Sequence, residues 1–162
     1  MVALTFTEVL ISPVAAGKWY EALIFHSDNL FPKLIPEFFR RIEIIEGDGG
    51  PGSIKKAEFS AGAEFKYLKK RIDALDKEKM TYGYTVIEGN VLMDNVESIY
   101  YDLKFEATQD GGGGCKWTYI SKYTLKPAAE INEKQLKNGK AKLAAMYKAV
   151  EAHLLENPDA YA

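Results

Sequence analysis

The stretch "IEIIEGDGGPGSIKKAEF", residues 42–59, decides between two architectures. Gly47, Gly49 and Gly52 fit G-x-G-x-x-G, a spacing that cradles pyrophosphate when the loop leaves a strand and opens a helix. The strand is present, since Ile42 and Ile44 alternate with Arg41 and Glu43. No helix follows: "SIKKAEF", residues 53–59, carries β-branched and aromatic residues without a 3.6-residue apolar stripe. The Walker arrangement fails too, because Ser53 stands where its lysine would be. The segment therefore reads as a turn between two strands. Gly47, Gly49, Gly50 and Gly52 permit positive φ and close backbone approach, and Pro51 stiffens the turn. Exposed N–H groups in such a turn can still capture a sulfate or phosphate.

Working outward, residues 38 to about 125 form a succession of strand-like segments. The turn signals between them are "GDGGPG", "SAGAE", "DALDKEK", "EGNVLMDN" and "TQDGGGGC". Met80, Tyr82, Tyr84 and Val86 share one face, as do Ile99, Tyr101, Leu103 and Phe105; Trp117, Tyr119 and Tyr123 repeat the pattern. Opposite them stand Thr81, Thr85, Asp102, Lys104, Lys116 and Lys122, which suit solvent. Residues 2–11 read as one more strand. Residues 12–36 read as two short helices, with Ser12 and Pro13 opening the first and Ser27 or Asp28 capping the second. Residues 130–155 form a long helix with an apolar seam of Leu136, Gly139, Leu143, Met146, Tyr147, Val150 and Leu154. At about 1.5 Å per residue it spans close to 40 Å, enough to cross a curved sheet. The class is α+β, a seven-stranded antiparallel sheet around a long C-terminal helix.

Composition narrows the function. A chain of 162 residues fits one domain, residues 1–162. It is 47% hydrophobic and 27% charged, as an ordinary globular protein is. A net charge of −2 leaves no basic excess for a stable nucleic-acid complex. The single cysteine, Cys115, permits neither an internal disulfide nor a cysteine-built zinc site, and it fits a reducing, cytoplasmic location as a small buried hydrophobe. The start "MVALTFTEVLISP" lacks a secretory signal's basic end and apolar core. No run approaches the roughly 20 apolar residues of a membrane span. Neither a metal site nor a cofactor motif is expected.

A curved sheet wrapped around one helix either packs solidly or leaves space. The residues directed there are Phe59, Phe65, Tyr67, Tyr82, Tyr84, Ile99, Tyr101 and Leu103. Buried phenols need hydrogen-bond partners, and Gly139 removes a side chain from the helix seam. Both features favour a small-molecule cavity over a solid core.

Several motifs carry a resemblance over the whole chain: "DNLFPK" (28–33), "IEGDGGPGSIKK" (45–56), "FKYLKKRID" (65–73), "YGYTVIEG" (82–89), "SKYTLK" (121–126) and "ENPDAYA" (156–162). They resemble the class 10 pathogenesis-related proteins of plants, the group of the major birch-pollen allergen. The resemblance implies the helix-grip fold, with two short helices in a V and an internal cavity. It also implies an intracellular, monomeric defence-related protein that binds amphipathic small molecules such as cytokinins, flavonoids, and sterol-like or other phenolic metabolites. The cavity positions carried over are Phe31, Phe59, Phe65, Tyr67, Tyr82, Tyr84, Leu92, Ile99, Tyr101, Leu103, Asn138 and Leu143. Lys142 stands where many relatives have methionine, and it either narrows the pocket, adds a cation for an acidic ligand or snorkels to solvent.

Two enzymatic alternatives follow from the same resemblance. Ribonuclease activity attributed to the family matches Lys55, Glu97 and Glu151. Lys55 is in frame with Ala57 and Phe59, and Glu97 with Ile99 and Tyr101, which would turn both inward for acid–base work. The competing reading is that these three form a salt-bridge cluster tying the long helix to the glycine loop. Alkaloid condensing enzymes of this fold place a catalytic lysine on the seventh strand, where this chain has Thr118. Hormone sensors of this fold carry a Ser-Gly-Leu-Pro-Ala gate that this chain lacks.

Overall fold

The computed structural model describes residues 3–61, 66–89, 92, 95–108, 113–130 and 133–158, with the backbone alone at 135, 138 and 139. In chain order the elements are β1 (Ala3–Ser12), α1 (Ala16–Tyr20) running into a π-helical turn (Glu21–Phe25), α2 (Ser27–Leu34), β2 (Phe39–Glu46), β3 (Ile54–Phe59), β4 (Tyr67–Asp76), β5 (Thr81–Gly89), β6 (Val96–Ala107), β7 (Cys115–Leu125) and α3 (Glu133–Glu156). The seven strands form one antiparallel sheet in the order β1-β7-β6-β5-β4-β3-β2. Strands β2 to β7 are the expected meander. The chain entering from β1 passes through the short helices before β2, so β1 is left to pair with β7.

Period-two alternation sets the inner face. On β7, Cys115, Trp117, Tyr119, Ser121, Tyr123 and Leu125 are all buried while the residues between them are not. On β6, Ile99, Leu103 and Phe105 are buried likewise. At one end this face meets α1 and the last turns of α3. Trp117 lies 5.3 Å from Phe105 in a stacked pair, 5.5 Å from Trp19, and 4.5 Å edge-on from Tyr147. Val150 and Leu154 close over them with 0% and 1% exposure. Burial of a side chain such as Phe105 contributes about 1.5–3 kcal/mol, so this cluster anchors the fold.

The helix starts differ from those expected. Ser12 does not cap α1; its Oγ accepts from the Val14 N–H (3.1 Å) and the Trp19 indole N–H (3.0 Å), which fixes Trp19 over Trp117. Helix α2 begins at Ser27 with His26 before it and no side-chain cap, and the Asp28 carboxylate pairs with Lys55. The turn expected over residues 73–79 is shorter: β4 runs through Asp76 and pairs with Thr81, leaving Lys77–Met80 as the turn.

Candidate functional site

The middle of the sheet, facing α3, differs from that anchored end. Tyr84 stacks on Tyr101 at 5.0 Å and lies 5.4 Å from Tyr82. Burial pushes the Tyr84, Tyr101 and Tyr147 phenols well up, and pushes Tyr82 to about 12 against the pull of Lys55. The Tyr101 phenol donates to the Tyr123 hydroxyl. Yet Tyr84, Tyr101 and Tyr147 all keep accessible surface, as do Leu136, Leu143 and Met146 on α3. Leu136 packs against the cluster of Val86, Ile99 and Tyr123, and Met146 against that of Ile35, Phe39 and Ala57, so sheet and helix touch here but pack less closely than at the anchored end. The lining is apolar, with neutral hydroxyls set into it.

Sequence reasoning missed one member of this lining. Lys70 stands on the inner face of β4 between Leu68, which packs into the core, and Ile72, which is 1% exposed. Its Nζ lies 4.4 Å from the Tyr84 ring centroid and 5.4 Å from that of Tyr82. Burial lowers the ammonium pKa to about 8, with the Asp28 charge opposing the shift. Spacing alone puts Lys70 on the same face as Leu68 and Ile72, and pairing with β3 makes that face the inner one.

The same parity corrects Tyr67. The inward-facing Ala57 of β3 is opposite Leu68, and Glu58 is opposite Tyr67. Tyr67 therefore points outward, where its phenol donates to the exposed Glu88 at 2.8 Å and Lys56 lies 5.2 Å over its ring. Phe65 and the Asn138 side chain lie outside the described residues. Ile99, Leu103, Tyr82 and Leu92 are buried as expected, with exposures of 2%, 5%, 3% and 8%. Phe31 and Phe59 flank Phe39 at 5.4 and 5.2 Å, in a small apolar cluster beneath α2. Lys142 and Leu143 are half-buried on α3.

The residues of the ribonuclease reading are not brought together. Lys55 is buried, and its Nζ pairs with the Asp28 carboxylate of α2 at 2.9 Å, an ion pair to a different helix from the one expected to carry the salt-bridge cluster with Glu151. Glu97 is exposed. A β-bulge between Val96 and Ser98 breaks the alternation, placing both Val96 and Ile99 inside and turning Glu97 out. Glu151 is half-buried on α3 beside Val150.

The glycine loop also differs from expectation. Gly47, Gly49 and Gly52 have φ of 87°, 101° and 89°, but Gly50 has no positive φ. Ser53 is 1% exposed; its hydroxyl accepts from Gly49 N–H (2.9 Å) and its own N–H donates to Gly50 O (3.0 Å). Gly50 N–H donates to the Asp48 carboxylate (2.9 Å), and Gly52 N–H to Ile72 O (2.7 Å). These four donors are spent within the protein, and Asp48 adds a negative charge. The loop is no phosphate cradle. It forms instead one wall of a pocket of about 370 Å³ against the α1–α2 segment, lined by Ile24, Asp28, Ile44, Gly49, Lys55 and Tyr82.

Among the described residues no group of three His, Cys, Asp or Glu side chains is placed to hold a metal, and no helix is long and apolar enough to cross a membrane.

Comparison with known proteins agrees with this geometry. The model of the pathogenesis-related protein Bet v 1 family matches residues 1–157. Major allergen Pru ar 1 of Prunus armeniaca is 46% identical over 157 residues, covering 97% of each chain. The crystal structure of Ara h 8.0201 superposes with a TM-score of 0.85 at 32% identity, covering 96% of this chain and 99% of that one. Norcoclaurine synthase from Thalictrum flavum, in complex with dopamine and hydroxybenzaldehyde, gives a TM-score of 0.72 at 24% identity, covering 96% of this chain and 88% of that one; this likeness concerns the fold alone.

Proposed function

The chain belongs to the pathogenesis-related protein Bet v 1 family, and from that premise we propose that it binds amphipathic small molecules, such as cytokinins, flavonoids, and sterol-like or other phenolic metabolites, between the sheet and α3. The observation that carries this reading is the accessible surface kept by Tyr84, Tyr101 and Tyr147 deep within the fold. Apolar walls supply affinity through burial, at about 25 cal/mol per Å² before the costs of association. The phenols orient polar ends. With pKa values raised by burial they stay protonated near neutral pH, so they act as hydrogen-bond partners and not as bases. Storage, transport or buffering of a metabolite fits this chemistry better than turnover does.

Calorimetric titration with a cytokinin, a flavonoid and a sterol checks the reading. At least one is expected to bind below about 100 µM, worth roughly −5.5 kcal/mol. Failure of all three would overturn it.

A further inference from the structure

Resting on that reading, we propose that Lys70 makes the interior an anion-selecting site, holding the carboxylate of an acidic amphipathic ligand beside Tyr82 and Tyr84. The first observation is register. Lys70 is directly opposite Lys55 on the inner face of the β3–β4 pair, and like charges in that relation repel. The second is the balance of charge. Asp28 reaches in from α2 and pairs with Lys55 at 2.9 Å. Among the described residues no carboxylate is ion-paired with Lys70, so the two ammonium groups share one acid. The third is the surroundings of the ammonium: it lies against the Tyr84 and Tyr82 ring faces. Such contacts recover only part of what desolvating an ion costs.

An anion arriving with its apolar body among the interior rings would supply the missing charge where Coulomb attraction is strong. The flanking phenols could donate hydrogen bonds to the same carboxylate. An interior of apolar walls and hydroxyls alone would favour neutral ligands, because an unpaired carboxylate is costly to bury. Lys70 reverses that preference.

The test uses the whole chain and two probes of nearly the same shape, 1-naphthaleneacetate and the neutral 1-naphthaleneacetamide, titrated calorimetrically. At about pH 7 the carboxylate is expected to bind about tenfold or more tightly than the amide, an interior charge pair being worth well over 1.4 kcal/mol. In Lys70→Met the preference should vanish while amide binding persists; Lys70→Arg should keep it. The groups facing Lys70 are Asp28 on α2, Lys55 on β3, and Tyr82 and Tyr84 on β5, with Tyr101 on β6 and Tyr147 on α3 beyond. The four phenols are all shifted upward, whereas Lys70 is brought down to about 8. The wild-type preference should therefore weaken at about pH 9.5, and that of Lys70→Arg should not. Equal binding of both probes by the wild type would overturn the proposal, as would equal weakening of both by Lys70→Met, which would make Lys70 a packing residue. If a neutral flavonoid binds and naphthaleneacetate does not, anion selection falls while the binding reading stands. If no neutral or acidic probe binds, both fall.

Discussion

The last turns of α3 and its first turns cover the same sheet in different ways. Near Val150 and Leu154 the helix meets Trp19, Phe105 and Trp117 with no accessible surface to spare. Near Leu136 it packs against the cluster of Val86, Ile99 and Tyr123 that Tyr84 and Tyr101 also join, but Leu136, Leu143, Tyr84 and Tyr101 all stay partly accessible. The sheet strands are continuous through both regions, so the difference lies in side chains and curvature. Bulky rings drawn from three elements fill one end. At the other, the Tyr84 and Tyr101 rings stack side by side along the sheet and stay partly accessible. The densely packed end anchors the fold, so the proposed ligand space at the other end need not be filled for the chain to fold.

Substitution can break that contrast. Trp117→Ala removes a ring that touches Trp19, Phe105, Tyr119 and Tyr147, and it should cost about 3–5 kcal/mol in urea unfolding. Leu143→Ala, at a half-buried position, should cost only about 1 kcal/mol, because little packed volume is lost. Similar costs for the two would mean that the region under Leu143 is as solid as the rest.

Hollow does not mean loose, and the glycine loop at the outer pocket shows why. A Cβ at Gly47, where φ is 87°, would sit 2.4 Å from Ser53 Oγ and 2.9 Å from Ser53 Cα. Gly47→Ala should therefore cost about 2–3 kcal/mol, combining left-handed strain with overlap. At Gly52 φ is 89° but nothing lies within 4 Å, so Gly52→Ala should show only the strain, about 1 kcal/mol. Equal losses would indicate that the loop adjusts around Ser53.

Lys70 sharpens the contrast from inside the hollow region. Its folded pKa, about 8, lies below its ordinary value of 10.5, so the unfolded chain binds more protons between these limits and stability rises with pH there. Burying the ammonium is a penalty present below about pH 8 and gone above about 10.5. Lys70→Met should accordingly stabilise the free protein by about 1–2 kcal/mol near neutral pH and lose that advantage as pH climbs through the window. A destabilised variant would mean that the ammonium is already compensated, which also bears on anion selection.

How much of this was legible in the sequence depends on where alternation holds. The seven strands, the meander of six of them and the inward set on β5 and β7 were legible, the inward set from uninterrupted period-two patterns such as Tyr82-Tyr84-Val86, whereas the pairing of β1 with β7 was not. Two placements were not legible either. Around Glu97 a bulge resets the phase, and a bulge leaves no mark in composition. On β4 both phases carry aromatic or aliphatic residues and cations, Tyr67-Lys69-Arg71 against Leu68-Lys70-Ile72, so hydrophobicity alone could not choose between them. The choice is made by pairing with β3, where Ala57 and Lys55 are inside. The use of the loop donors by Ser53, Asp48 and Ile72 was likewise beyond the sequence, because it depends on positions in space.

The smallest expected effect tests that β4 assignment most directly. Tyr67 donates to Glu88, whose side chain is 49% exposed, and the hydrogen bond raises the Tyr67 pKa while lowering that of Glu88. Water replaces such a partner readily, so Tyr67→Phe should leave the unfolding midpoint unchanged within error. It should also leave every ligand titration unchanged, because the ring faces away from the interior. Tyr84→Phe has the opposite profile: it keeps the ring stacked on Tyr101 but removes a hydroxyl from the hollow region, and it should alter affinity for a ligand with a polar end. If Tyr67→Phe changed binding and Tyr84→Phe did not, the phase of β4 and the inward position of Lys70 would both be reversed.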